Sequence, residues 1–430
     1  SAPSADERFG HLACHVGRQD SGGETMSDRL LLGPDRDGLM LATSGRRILD
    51  MGDHPPPEGT TDLQLECRTC RLEPGRVNAH THIYSGLAPL GMPEPKIPPE
   101  NFVQILERIG WRHARALDAD SLRASARLYA AEALLAGTTT LIDHHESPNL
   151  IDGSLDILAD ACQEIGIRAL LCYGATERNE GRDEAQKGLA ECRRFIQDNR
   201  RSLVRGVVAL HASFTVSDET IAEAAALCRK LDTVMHVHVA EDLADVADAN
   251  ERGYAGPLER LLTLDALPRG SILAHCVHCD AHQVQTSEAH DLWIVQNPRS
   301  NRGNKVGYPG ALGASQRVAI GTDGYPAHMD EEATALDEEA KLHGDDLEVA
   351  RGRLDGGYQL AAERLGVALV PLASGSTADV VARVNGRAQH VVVNGELVVR
   401  DGELQTADIE EIRAHAREQA PRLWERMEGI

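Results

Sequence analysis

The chain has 430 residues, which fits a large α/β unit carrying an appendage, or two domains. Apolar residues make up 42% and aromatics only 3%, so the core must be built mainly from Leu, Val, Ile and Ala. The formal net charge of −23 disfavours nucleic acid and anionic membrane as partners, because both need a basic surface.

Residues 1–25 are rich in Ser, Gly, Asp and His without periodicity, and read as a flexible extension or an over-long start upstream of Met26. No signal-peptide pattern and no bilayer-length apolar run occurs, so a cytoplasmic protein is expected. Short strand-like pieces follow at Leu30 to Leu32, Leu39 to Leu41 and Leu63 to Cys67. From Arg76 apolar runs alternate with helical segments. The runs are Val77 to His80, Thr139 to Asp143, Arg168 to Tyr173, Val204 to His211, Val234 to Val239, Ile272 to His275, Leu292 to Gln296 and Val318 to Gly321. Between them, Ser121 to Ala136 carries an apolar face stopped by Gly137, and Ser217 can cap a helix running to Leu231. Eight alternations over about three hundred residues match a (β/α)8 TIM barrel.

After Pro371 strand signals return at Asp379 to Val384, His390 to Val393 and Leu397 to Arg400, with Asn394-Gly395 as a hairpin turn. Ile409 to Met427 reads as a closing helix. The expected organisation is a small β-sandwich domain in two parts, 26–73 and 372–430, around a barrel at 74–371. Nine scattered cysteines argue against a disulfide framework. The pairs Cys67/Cys70 and Cys276/Cys279 read as reduced, partly buried thiols in preference to a four-thiolate zinc site.

Catalytic groups of such a barrel sit at the C-terminal ends of its strands. Here those ends carry His80-Thr81-His82, His211, His236-Val237-His238 followed by Glu241, His275, and Thr322-Asp323-Gly324. His80 and His82 are two apart on a strand and share a face, which makes a chelating pair. Neutral imidazoles suit zinc and other first-row divalent ions. A third imidazole and the Asp323 carboxylate would leave room for a water whose pKa the metal lowers. A single buried histidine is more often structural; five strand ends aligned in this way are hard to explain as packing.

Pro74 to His82 resembles the first-strand signature of the amidohydrolase superfamily. His238-Val239-Ala240-Glu241, Ala274 to His278, Asn297 to Asn301 and Gly321 to Gly324 follow in the order of its cytosine deaminase and chlorohydrolase (ATZ/TRZ) branch. Ile83 to Gly86, Asn101-Phe102 and Asp143-His144-His145 are most similar to the SsnA aminohydrolase group. The resemblance implies one metal held by His80, His82, His238 and Asp323, with zinc expected and iron also accommodated. It implies Glu241 as proton shuttle, Asp323 as acceptor of a proton from the metal-bound water, and His275 as the group that polarises the attacked centre. It implies His211 as a substrate contact and a homo-oligomer as the assembly. His236 also faces inward and is the alternative ligand; His238 is preferred because the family's acid follows its ligand by three residues. Two-metal members carry a strand-four lysine where this chain has His211, which favours one ion.

His145 and His144 follow the second strand and either line the pocket or cap a loop. Arg299, in the loop after the seventh run, is the expected contact to an anionic or carbonyl group of the substrate. Arg178 reads as a solvated arginine, and Pro89 to Pro99 as a lid or a plain surface loop. The expected function is hydrolytic deamination of a purine, pterin, pyrimidine or triazine ring. Ring opening of a cyclic amide or ureide at the same site is the rival reading. A non-catalytic metal-binding scaffold is the third, and it accounts poorly for a complete set of catalytic positions.

Overall fold

A computed structural model describes residues 29–56 and 63–430. The expectation for residues 1–25 lies outside them. Each of the eight apolar runs contains a parallel strand. Arg76–Thr81, Thr138–Asp143, Arg168–Leu171 and Val204–Gly206 form one sheet. Gly174–Ala175, Val208–Ala212, Met235–Val239, Ile272–His275, Trp293–Gln296 and Val318–Ile320 form the other.

Two of the expected runs are broken. Arg168 to Tyr173 stops pairing at Leu171 and resumes at Gly174 in the second sheet; Val204 to His211 breaks at Val207. Gly174 is required at the first break, because a Cβ there would lie 2.3 Å from the His144 ring. The sheets still meet at this seam, where Val207 N donates to Leu171 O at 3.0 Å. At the far seam His82 N donates to Asp323 O at 3.1 Å, and Thr322 N donates to Asn78 Oδ1 at 3.0 Å. Gly321 permits that approach, since a Cβ would sit 2.5 Å from His80 O.

Alternation along the strands separates packing from chemistry. Ile142, Cys172, Val207, Ala209 and Ala319 share one buried apolar cluster. Two or four residues further along the same strand faces stand His144, His211 and Asp323. Helices cover the outside. The helix expected from Ser121 begins at Ala119, because Asp118 is the better cap: its carboxylate accepts from Ser121 N, and Ser121 returns the bond. Ser217 caps Asp218–Leu231 as expected. No element was expected after Asn101, yet helical turns run through Phe102–Ile105, Leu106–Gly110 and Trp111–Ala116.

The remaining strands form two small sheets. Leu30–Leu32, Met40–Ser44, Arg47–Gly52 and Leu63–Leu65 make one. Arg71–Pro74, Val380–Val384, Arg387–Val393, Glu396–Arg400 and Glu403–Leu404 make the other. Leu32, Leu41 and Leu65 of the first are buried with Leu72, Val380 and Val392 of the second. The Asn394-Gly395 turn has φ of 55° and 85°, the left-handed pair a tight hairpin needs. Buried Arg168 pairs with fully buried Asp379 at 2.9 Å, tying a parallel strand to the second small sheet. The helix Ile409–Gly429 closes the chain. Among the described residues no helix is long and apolar enough to cross a membrane.

Candidate metal centre and active site

The strand ends converge on one buried cluster. Ligand-capable atoms of His80, His238, His275 and Asp323 all lie within 4.8 Å of one another. His82 Nε2 lies 2.8 Å from the same Asp323 Oδ1 that is 3.4 Å from His80 Nε2. His275 therefore stands among the ligand-capable atoms, where the sequence suggested only a polarising role.

Each imidazole is aimed by its other nitrogen. His82 Nδ1 donates to His144 O at 2.5 Å, and His238 Nδ1 donates to His211 O at 2.6 Å. His275 Nδ1 lies 2.9 Å from Asn301 Oδ1, and His80 Nδ1 lies 2.9 Å from His236 Nε2. The Nε2 atoms are thereby left for the centre. Those of His80 and His275 are buried without a hydrogen-bond partner. Unpartnered buried nitrogens are costly, and a divalent cation satisfies them. Three or four imidazoles with one carboxylate are a zinc-type donor set, so the residues present fit such an ion. His236 stands behind His80, with its own Nδ1 3.6 Å from Cys172 Sγ.

Backbone strain gathers at this centre. Ala240, His275, Cys276 and Asp323 all have φ between 47° and 77°. The left-handed region is uncommon for such residues and persists only where the surroundings enforce it. At Asp323 it turns the carboxylate back over the histidines. Burial alone would raise the pKa of that carboxyl; His82 and His80 outweigh burial and hold it well below its usual range. Ser300 Oγ donates to its other oxygen.

Glu241 Oε2 lies 3.4 Å from His275 Nε2, and Asn304 Nδ2 donates to its Oε1 at 3.3 Å. Burial raises its pKa to about 7, with His275 opposing. A cavity of about 230 Å³ opens above the cluster. Its polar wall includes His82, His211, His238, Glu241 and Asp323, and its apolar wall includes Phe102, Ile105, Leu106 and Ile109. The unexpected helical segment after Asn101 supplies that apolar wall.

Two expected substrate contacts are not brought to the cavity lining. Arg299 is clamped by Glu331 and Glu332, and its Nη2 donates to Pro326 O at 2.7 Å. His145 Nε2 lies 2.8 Å from Ser147 Oγ, and its ring packs on Tyr84 and Tyr173. Local bonding takes up the Arg299 guanidinium and the Nε2 of His145. Arg178, read as solvated, is buried instead: it pairs with Glu146, lies 4.5 Å over the Trp111 ring and 3.3 Å from His211 Nε2. Sequence reasoning missed Glu146 and Trp111. Glu146 directly follows His144-His145 at a strand end, and that position was the available signal; Trp111 offered none.

The four cysteines of the C-x-x-C pairs are buried free thiols. The pairs fall in two different apolar clusters.

The amidohydrolase family model matches residues 71–366. A 5'-deoxyadenosine deaminase of Methanopyrus kandleri is 29% identical over 82% of this chain and 86% of its own length. A 5-methylthioadenosine/S-adenosylhomocysteine deaminase of Desulforudis audaxviator is 27% identical over 91% of this chain and 96% of its own. The crystal structure of an adenosine deaminase from Xanthomonas campestris with bound zinc superposes with a TM-score of 0.77 at 21% identity, covering 92% of this chain and 98% of that one.

Proposed function

Since this chain belongs to the amidohydrolase family, we propose that it is a metal-dependent hydrolytic deaminase whose substrate is an aminopurine carried on a sugar. The observation that carries this reading is the pairing of a zinc-type donor cluster with a buried carboxyl poised near neutrality, Glu241, at the mouth of one cavity. The curated relatives support the adenosine-type ring.

The two parallel sheets are read as one (β/α)8 barrel, and the two small sheets as a β-sandwich sharing one core. Hydrogen bonds across both seams and the shared Leu, Val and Cys cluster support this.

One ion is assigned to His80, His82, His238 and Asp323, with His275 adjoining. Zinc is preferred for its donor set, and ferrous iron fits the same ligands. When bound, a divalent cation supplies a Lewis acid that lowers the pKa of water towards neutrality. His236 faces His80 Nδ1 and is assigned to its orientation; His238, with Nδ1 tied to a carbonyl, is assigned as the ligand.

Glu241 carries the proton traffic. With its pKa near neutral it can give a proton to the ring nitrogen and, once recharged, to the departing amine, since ammonia leaves only when protonated. Asp323, held ionised by its histidines, is the acceptor for the proton of the attacking water. Asn304 holds Glu241 and Ser300 holds Asp323, so both carboxylates keep fixed positions. The Phe102 to Ile109 wall takes the faces of the ring and keeps bulk water out.

Ammonia release by the zinc-loaded protein over purines, pterins, pyrimidines, triazines and cyclic ureides tests the reading, with acid release followed alongside. Ammonia without acid is expected, strongest on adenosine-type substrates. Acid without ammonia would replace deamination by ring opening. In Glu241→Gln the metal should stay and turnover fall about 100-fold or more; full activity would remove Glu241 from the mechanism.

A further inference from the structure

One wall of the cavity is not used by this mechanism. There Glu146, Trp111 and His211 line the cavity, and Arg178 packs behind them against all three. The Glu146 side chain is 5% exposed and lines the cavity. Arg178 Nη2 donates to Glu146 Oε2, and the guanidinium lies over Trp111, so this oxygen is satisfied and held.

The other oxygen is not. Glu146 Oε1 lies 3.3 Å from His211 Nε2. The hydroxyl of Thr215 donates to Ala212 O at 3.0 Å, so His211 Nδ1, 3.1 Å from Thr215 Oγ1, must be the donor of that pair. A neutral imidazole then presents Nε2 as an acceptor. Arg178 Nη1, which can only donate, lies 3.3 Å from that Nε2 and marks it as the acceptor. Two acceptors therefore face each other across 3.3 Å with no donor between them. Arg178 Nη1, 3.3 Å from His211 Nε2, covers only the imidazole side. A carboxylate oxygen in this setting lacks a donor. Among the described residues the lining contains no Lys or Arg, while Glu146, Glu241, Asp242, Asp245 and Asp323 all contribute to it.

We infer that Glu146 is the specificity-determining residue of the cavity. Its Oε1 accepts from the vicinal hydroxyls of a nucleoside sugar, and the carboxylate-lined wall rejects anionic tails. The substrate class is thus an uncharged nucleoside with free hydroxyls, in preference to a nucleotide or a base lacking the sugar. Arg178 and Trp111 act through Glu146 as positioning residues. The inference rests on the deaminase reading above.

The test compares kcat/KM of the zinc-loaded protein for adenosine, 2',3'-dideoxyadenosine and adenosine 5'-monophosphate, in the wild type and in Glu146→Gln, with metal content measured in each. In the wild type adenosine should exceed the dideoxy analogue by about 10- to 100-fold, the size of one hydrogen bond to a charged group. The monophosphate should be poorer than adenosine by a similar factor or more. In Glu146→Gln the adenosine-to-dideoxy ratio should fall towards one at full metal content, the loss appearing in KM. Equal wild-type rates for adenosine and the dideoxy analogue, equal rates for the monophosphate, or an unchanged ratio in the variant would each overturn the inference while leaving deamination standing. Ammonia from none of the three would remove the nucleoside deaminase reading, and the inference with it. The wild-type comparison decides even if the variant does not fold.

Discussion

His236, proposed to orient His80 without binding the metal, illustrates how the centre depends on residues behind its ligands. For His80 to offer Nε2, its proton must sit on Nδ1, and that proton needs an acceptor at His236 Nε2, 2.9 Å away. His236→Leu keeps the volume roughly constant but leaves the Nδ1 proton of His80 unpaired. Metal affinity, measured by competition with a chromogenic chelator, should fall about 10- to 100-fold. Unchanged affinity would show that His80 is oriented by packing alone. At this scale the sequence is informative where a short period places the groups: two residues apart on a strand puts His80 and His82 on one face without any knowledge of the fold. Arg178 and Arg299 show the converse. The partners that bury Arg178 lie 67 and 32 residues away, at Trp111 and Glu146. Those that neutralise Arg299 lie 32 and 33 residues away, at Glu331 and Glu332. Nothing local to either arginine distinguishes them.

Among the elements, the helix Leu243–Glu251 helps place Glu241, the proposed proton shuttle. Asp242 caps it, and Asp245 in its first turn reaches back to accept from Ala240 N at 2.8 Å and from Phe214 N at 3.1 Å. It thereby pins the turn that swings Glu241 out of the strand Met235–Val239. Burial raises the Asp245 pKa to about 7, with the Ala240 N–H opposing. A carboxyl whose pKa is raised on folding binds a proton more readily in the folded state. Its contribution to stability is therefore fully present below about pH 4 and is lost as pH rises through about 7. In Asp245→Asn this part of the pH dependence disappears. Melting temperatures of wild type and variant, compared between pH 5 and pH 8, should converge towards pH 8. A gap that stays constant from pH 5 to pH 8 would mean that Asp245 is already ionised in the fold across this range. The variant also gives up one carboxylate acceptor, so turnover should fall with the placement of Glu241. The elements themselves were largely readable, because all eight apolar runs contain strands. The helical turns from Phe102 to Ala116 were not, since their apolar residues line a cavity in place of a continuous core stripe.

At the scale of the whole molecule, the ion pair Arg168–Asp379 joins chain segments 211 residues apart. Asp379 also accepts from Asn394 N at 2.6 Å, so one carboxylate ties a parallel strand, the start of the second small sheet and its hairpin together. Removing one member of a buried pair strands the other. Arg168→Met should cost about 3–5 kcal/mol in denaturant unfolding. The double variant Arg168→Met/Asp379→Leu should recover part of that loss, and equal losses in both would show that the cost is in packing alone. What the sequence determined by itself is whatever local periodicity and spacing encode: the alternation of strands and helices, the hairpin at Asn394-Gly395, the His80 and His82 pair, and an acid three residues after an imidazole. What only the tertiary structure decided is which residues from separate strands share a boundary. It put His275 among the ligand-capable atoms, set His236 beside His80, took Arg299 and His145 out of the cavity, and brought Glu146, Trp111 and His211 to one wall with Arg178 behind them. The physical reason is that burial and hydrogen bonding depend on neighbours brought by chain closure, and a side chain's chemistry is set by those neighbours more than by its own place in the chain.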